Sequence, residues 1–195
     1  MGDTLWTIGH STRAWDVFVA MLHDAGIAAL VDVRRFAGSR RHPQFSGATM
    51  GAALREAGVD YVPMPDLGGR RTARKDSPNT TWRNASFRGY ADYMETEQFQ
   101  KGVERLLAFA TSDPESIRGR NERGGGEAVT PCAIAIMCAE AVWWRCHRSL
   151  IADYLKARGV EVLHILGANK VEPHPYTSVA RIVNGELSYR PESLL

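Results

Sequence analysis

Residues Ile27-Ala-Ala-Leu-Val-Asp-Val33 decide the fold. The run is almost continuously apolar and gives way at once to Arg34-Arg35, so it predicts a strand covered on both faces that ends in a basic loop. Strands of that kind belong to parallel sheets, in which crossover connections lay helices on both sides. The flanking sequence supplies the other pieces. Upstream, Leu5–Gly9 reads as a short strand, and Trp15, Val17, Phe18, Met21 and Leu22 recur at helical spacing, with Ser11 or Thr12 as cap and Gly26 as stop. Downstream, a helix over 48–57 stopped by Gly58 precedes a third strand, Val59–Pro63. Helices follow at Phe87–Glu95 and Glu97–Ala110, then a strand at 132–138, a helix at 147–158 stopped by Gly159, and a strand at Val160–Ile165. The tail, Val179–Val183, Asn184-Gly185 and Glu186–Tyr189, carries the strongest short-range hairpin signal. The expected fold is a three-layer α/β domain, a mostly parallel sheet with helices on both faces, plus a C-terminal hairpin.

Hydrophobic residues are 44% and charged residues 24% of the 195, an ordinary globular composition that excludes global disorder. The length suits one domain spanning 1–195, with a flexible glycine-rich insertion at about 112–130. A formal charge of +2 hides an asymmetry, since residues 34–88 hold eleven Lys/Arg against four acids, a net +7 that leaves −5 elsewhere. Such a basic stretch suits an anionic ligand, either a small molecule or a nucleic acid; a solvated arginine-rich face explains the charge equally well. Within it, residues 64–84 form a long turn-rich excursion, and Trp82, Phe87 and Tyr90 offer a surface on which bases could stack. Cysteines 132, 138 and 146 form no disulfide framework of the secreted type, and the N-terminus carries no signal-peptide pattern. No apolar run approaches bilayer length, so a cytoplasmic protein with reduced thiols and no membrane partner is expected. Nothing in the pattern specifies an oligomeric state.

The apolar run Ala133–Met137 leads into Cys138, and the stretch from Cys138 to Arg148 leads into the helix beyond. Ligands of parallel α/β sheets bind outside the carboxyl ends of the strands. His10 and Ser11 after the first strand, Arg34 after the second and Cys138 after the fourth are therefore expected to converge. Cysteine reacts as the thiolate, which cations and a helix N-terminus favour. Cys138 is thus a candidate nucleophile or redox centre, or a packed core thiol. Cys146 could form a reversible disulfide with it. Glu140 could move protons or simply pair with Arg145 or Arg148, and its charge opposes ionisation of the neighbouring thiol. Arg34, Arg40 and Arg148 are candidates for holding an anion, with Ser39, Gly68, Gly69 and Arg70 contributing amide and guanidinium donors. His10, His147 and His164 could join Cys138 or Cys146 around zinc, but no ligand pair has finger-like spacing, so no metal and no cofactor are expected.

These residues resemble a family. Thr7-Ile-Gly-His-Ser11, Leu30-Val-Asp-Val-Arg34, Ser39-Arg-Arg-His-Pro-Gln-Phe45 and Leu67-Gly-Gly-Arg70 carry the first half of the likeness. Phe87-Arg-Gly-Tyr-Ala-Asp-Tyr-Met94, Cys138-Ala-Glu140, Cys146-His-Arg148 and Val162-Leu-His-Ile165 carry the second. Together they resemble domain-of-unknown-function family 488, in order from Thr7 to about Ile165. The likeness implies a shared signature of His10, Arg34, Ser39, Arg40, Gly68, Gly69, Cys138, Glu140, Cys146, His147 and Arg148, without a settled activity. The insertion at 112–130 departs from it. A weaker likeness to rhodanese-type sulfurtransferases rests on Val31-Asp-Val-Arg34 and the strand-Cys-loop-helix unit at 133–165. It implies a sulfur-accepting or phosphate-attacking Cys138. A phosphatase loop, however, has five residues between Cys and Arg where six stand here, and Trp143-Trp144 fill a place usually small. The expected activity is that of a Cys-dependent transferase or hydrolase; a non-catalytic nucleic-acid-binding module and a metal-binding protein are the alternatives.

Overall fold

The computed structural model describes residues 4–111 and 133–192. Six strands make one sheet: β1 (Thr4–Gly9), β2 (Ile27–Asp32), β3 (Asp60–Pro63), β4 (Ala133–Cys138), β5 (Glu161–Gly167) and β6 (Lys170–Pro173). Their order across the sheet is β3-β2-β4-β1-β5-β6, parallel throughout except for β6, which runs antiparallel to β5. Among the described residues five α-helices accompany them: α1 (Trp15–Asp24), α2 (Gly47–Glu56), α3 (Ala85–Met94), α4 (Glu97–Ala110) and α5 (Arg148–Ala157). The expected insertion at 112–130, like Cys132, lies outside the described residues.

Chain direction explains the layering. From β1 to β2 to β3 the chain moves toward one edge; from β3 to β4 to β5 it moves back. Crossovers between parallel strands are almost always right-handed, so opposite directions of travel put their helices on opposite faces. The core divides accordingly. Phe18, Met21 and Leu22 of α1 and Met50 and Leu54 of α2 pack against Leu30, Ala135 and Met137. On the other face, Tyr90, Phe99, Val103, Leu106, Leu150 and Leu155 of α3, α4 and α5 pack against Val31, Ile134 and Ile136. Each of the buried Leu, Ile, Val, Phe and Met side chains among these contributes about 1.5–3 kcal/mol of apolar burial. Alternate residues of β4 serve the two faces, which is why its sequence is apolar throughout.

Two details differ from the expected elements. α1 starts at Trp15 with Ala14 at its N-cap and no side-chain cap, because Ser11, at φ 48, is drawn instead toward the β4 loop. The exposed edge strand β6, Lys-Val-Glu-Pro, has too little apolar alternation to read as a strand; its lysine and proline are typical of a protected edge. The C-terminal hairpin forms as expected, β7 (Arg181–Val183) and β8 (Glu186–Ser188) joined through Asn184 and Gly185, both at positive φ. It delivers Tyr189 into the core beside α5. Among the described residues no helix is long and apolar enough to cross a membrane.

Candidate functional site

β4 lies between β1 and β2, yet its connection leaves for α5 while theirs leave for α1 and α2 on the opposite face. That divergence opens a crevice at the carboxyl ends of the strands. Cys138, the last residue of β4, stands in register with Gly9 of β1. The loops beyond are tied together, His10 N donating to Cys138 O at 3.1 Å and Ser11 N to Ala139 O at 2.8 Å. Gly9 permits this closeness, since a Cβ there would overlap the Glu140 carbonyl. Above the loops lies a cleft of about 630 Å³ with His10, Arg34, Gly69, Cys138, Cys146 and His147 among its lining residues.

One wall is a closed polar clamp. The Asp32 carboxylate accepts from Arg34 N, Nε and Nη2 at 3.0, 2.9 and 2.6 Å and from the Tyr61 hydroxyl at 2.7 Å. Arg34 Nη1 donates to Phe45 O at 2.8 Å and meets His10 Nε2 at 3.2 Å. Because arginine only donates, His10 Nε2 must be the acceptor, which leaves the proton on Nδ1, 2.9 Å from Ser11 O. Burial, aided by the Arg34 charge, lowers the His10 pKa to about 4, so the ring is neutral as it stacks on Phe45. Arg34 reaches the cleft, but its charge is matched and most of its donors are engaged. It holds the wall more than it waits for a ligand.

The floor is different. Cys138 and Cys146, eight residues apart, are in disulfide contact, their Cα atoms separated by 7.8 Å. Cys146 Sγ also lies 3.5 Å from the Arg148 amide at the start of α5 and 3.4 Å from His147 Nδ1. His147 Nε2 is 3.2 Å from Val33 O, and a carbonyl can only accept, so Nε2 carries the proton and Nδ1 presents a lone pair to the sulfur. Burial lowers the His147 pKa to about 4 and keeps the ring neutral. Gly69 makes room for it, since a Cβ there would stand 2.7 Å from Nδ1.

Arg148 is placed beneath the cleft rather than in it, only 1% exposed. Its Nη2 donates to Glu140 O at 2.6 Å, fixing the cysteine loop, and its Nη1 donates to Thr7 Oγ1 at 3.2 Å. From Thr7 a chain of hydrogen bonds continues to His164 Nδ1 at 2.7 Å, His164 Nε2 to His174 Nδ1 at 2.9 Å, and His174 Nε2 to Asp153 at 3.0 Å. The chain thus runs from a guanidinium at one end to a carboxylate at the other. Burial, with His174 and Arg148 nearby, lowers the His164 pKa to about 3. Asp153 accepts further bonds from Thr177 N, Thr177 Oγ1 and Tyr189. Burial also lowers the Arg148 pKa, to about 9, against the Glu140 charge that raises it.

The rim carries the exposed charge. Arg35, Arg70 and Arg145 line the cleft with Glu140 among them. Ser39 lines it too, whereas Arg40 is exposed outside the lining, and Ser11 and Gly68 stand behind it, Gly68 close against the Arg35 backbone. The two indoles separate: Trp143 stacks on His164 with centroids 4.5 Å apart, while Trp144, half exposed, forms part of the cleft wall. Of the aromatics expected to stack bases, Tyr90 is a buried core residue that also borders the cleft, Trp82 packs between Phe87 and Tyr189, and Phe87 lines the cleft. The excursion at 64–84 is anchored by Asp92 of α3, which accepts from Arg74 N, Ser77 Oγ and Asn79 Nδ2.

Sequence reasoning noted Arg35 and Arg145 without counting them among the anion-holding residues, and it missed the start of α3. Asn84 caps that helix by accepting from Ser86 N and Phe87 N, and Asn84, Ser86 and Phe87 all line the cleft. The signal was present, an asparagine before a helical period; starting the helix at Phe87 concealed it.

A family model described as "Domain of unknown function DUF488" matches residues 14–116 and 126–155. No curated protein and no solved structure matches the chain.

Proposed function

The chain belongs to the DUF488 family, and from the geometry of its cleft we propose that it is a cysteine-dependent enzyme whose Cys138–Cys146 pair exchanges thiols with an anionic disulfide-bearing substrate. The observation that carries the reading is the meeting of the two sulfurs at the floor of a cleft rimmed by Arg35, Arg70 and Arg145. Cys146 is the attacking thiol, because the Arg148 amide and the α5 N-terminus face it and favour its thiolate. Its sulfur attacks one sulfur of R–S–S–R′ and releases RS⁻, which takes up a proton. Cys138 then attacks Cys146 Sγ and expels R′S⁻, which takes the second proton. The protein dithiol loses two electrons and two protons, and the substrate becomes RSH and R′SH. A rhodanese-like relationship is proposed on the same unit, with β4, the Cys138 turn, α5 and β5 in succession.

The test uses reduced protein in a Cys132→Ser background and two chromogenic disulfides, anionic dithiobis(nitrobenzoate) and neutral dithiodipyridine. The pair should release two thiols per chain, and Cys138→Ser only one, leaving a stable mixed disulfide on Cys146. The anionic probe should react faster, with the advantage shrinking in high salt and on replacing the three rim arginines by alanine. Two probe groups retained as mixed disulfides on the intact pair, read by mass spectrometry, or equal rates with both probes, would overturn the reading.

A further inference from the structure

Among the described residues, Cys138, Cys146 and His147 form a group whose ligand atoms all lie within 4.8 Å of one another. The spacing of these residues hides it, because neighbouring side chains on an extended backbone point apart. Here the backbone changes conformation between them: Cys146 is extended at φ −131, ψ 149, and His147 is helical at φ −55, ψ −15. Both side chains therefore turn to the same side, with Sγ and Nδ1 3.4 Å apart.

Three further features suit a metal ion. The Nε2–H of His147 is held by Val33 O, so Nδ1 is left as the ligating atom and the ring orientation is set. That is the supporting bond metal-bound histidines almost always make. The Cα separation of 7.8 Å between the cysteines is wider than the roughly 4.4–6.8 Å usual for disulfides. It leaves scope for the sulfurs to part toward the roughly 3.8 Å that two zinc–sulfur bonds of about 2.3 Å require at a tetrahedral angle. Finally, all three residues line the cleft, so a fourth position would open on it.

We propose that the reduced Cys138–Cys146 pair and His147 Nδ1 bind one zinc ion with its fourth position facing the arginine-rimmed cleft. Two thiolates and a neutral imidazole balance the dication. Three protein ligands and one open position are the arrangement of catalytic rather than structural zinc sites. The Arg35, Arg70 and Arg145 rim favours an anion as the fourth ligand. Disulfide formation removes both sulfur ligands, so oxidation and zinc binding exclude each other. The inference goes beyond the thiol-exchange reading and is separable from it.

The experiment titrates reduced, metal-free full-length protein with cobalt(II) and then with zinc(II). One equivalent of cobalt should produce a thiolate charge-transfer band and the visible bands of a tetrahedral site, both erased by one equivalent of zinc. Diamide-oxidised protein should give neither. Cys138→Ser and His147→Gln should each weaken zinc binding by more than the roughly 10–100-fold that loss of an outer partner costs, with circular dichroism reporting the fold of each. His147→Gln should still form the Cys138–Cys146 disulfide. The inference is overturned by absence of the bands at one equivalent, or by affinity unchanged in both variants. If zinc fails to bind while the disulfide forms, this inference alone falls; if zinc binds and the pair never oxidises, only the exchange reading does.

Discussion

Two polar groups meet at Arg148, and they are built in opposite ways. Below, Arg148, Thr7, His164, His174 and Asp153 form a chain in which each side chain between the terminal charges both accepts and donates, with the histidines and the carboxylate sealed from water. Above, Cys138, Cys146 and His147 open onto a cleft, with a ring lone pair aimed at sulfur. Histidines occur in both. What separates structural from chemical polarity here is whether the group is sealed in the core or opens on the cleft. The lower chain links two buried charged groups through hydrogen-bonded intermediaries; the upper group presents its sulfurs and a ring nitrogen to the cleft.

The contrast can be broken from below first. Asp153→Asn places an amide among groups that all donate and leaves the Arg148 charge without its distant counterpart. We expect a loss of about 3–5 kcal/mol in denaturant unfolding, with the thiols of the remaining folded protein still able to pair. If stability were unchanged, the chain would not be the support described.

His164→Asn should cost about 1–3 kcal/mol at neutral pH by leaving Thr7 and His174 without partners. Its pH dependence has a definite sign. The folded His164 pKa lies near 3 against an ordinary 6.5, so the unfolded chain takes up the proton first. The stability this ring provides is complete above about 6.5 and lost progressively as pH falls toward 3. The gap between wild type and His164→Asn should therefore narrow from pH 7.5 to pH 4.5; a gap that widened would reverse the assigned neutral state.

Gly69→Ala acts on the upper group. A methyl 2.7 Å from His147 Nδ1 must displace the ring, at about 1–3 kcal/mol by overpacking. Thiol exchange by Cys146 should slow together with it, as read by the chromogenic disulfides. The smallest effect on the fold belongs to the rim: Arg35→Ala, Arg70→Ala and Arg145→Ala should each change stability by less than about 0.5 kcal/mol while weakening the preference for an anionic probe. Calorimetric melting separates these from the core changes.

Much of this molecule was legible in its sequence. Ile27–Asp32 and Ala133–Cys138 are apolar on both faces because both faces are covered, and that pattern alone implies a parallel sheet. Chain alternation then placed His10, Arg34 and Cys138 at one end. Partner choice was not legible. Arg34 is two residues from Asp32 and folds back on it, and Arg148 turns under the sheet to Thr7, 141 residues away. Whether an arginine faces a ligand or a carbonyl depends on such long-range packing. Arg35 and Arg145, beside them in sequence, received the exposed places instead. The Cys146–His147 convergence depends on a single change of backbone conformation, and spacing rules carry no trace of it.

The central claim is that Cys138 and Cys146 act as one reversible two-electron pair. It is tested most directly by equilibrating the protein in dithiothreitol buffers of graded redox potential, trapping thiols with an alkylating agent and mapping the label by mass spectrometry. The expected result is a single transition in which Cys138 and Cys146 gain and lose label together within one chain. Independent labelling of the two residues, or full labelling of both at every potential, would contradict it.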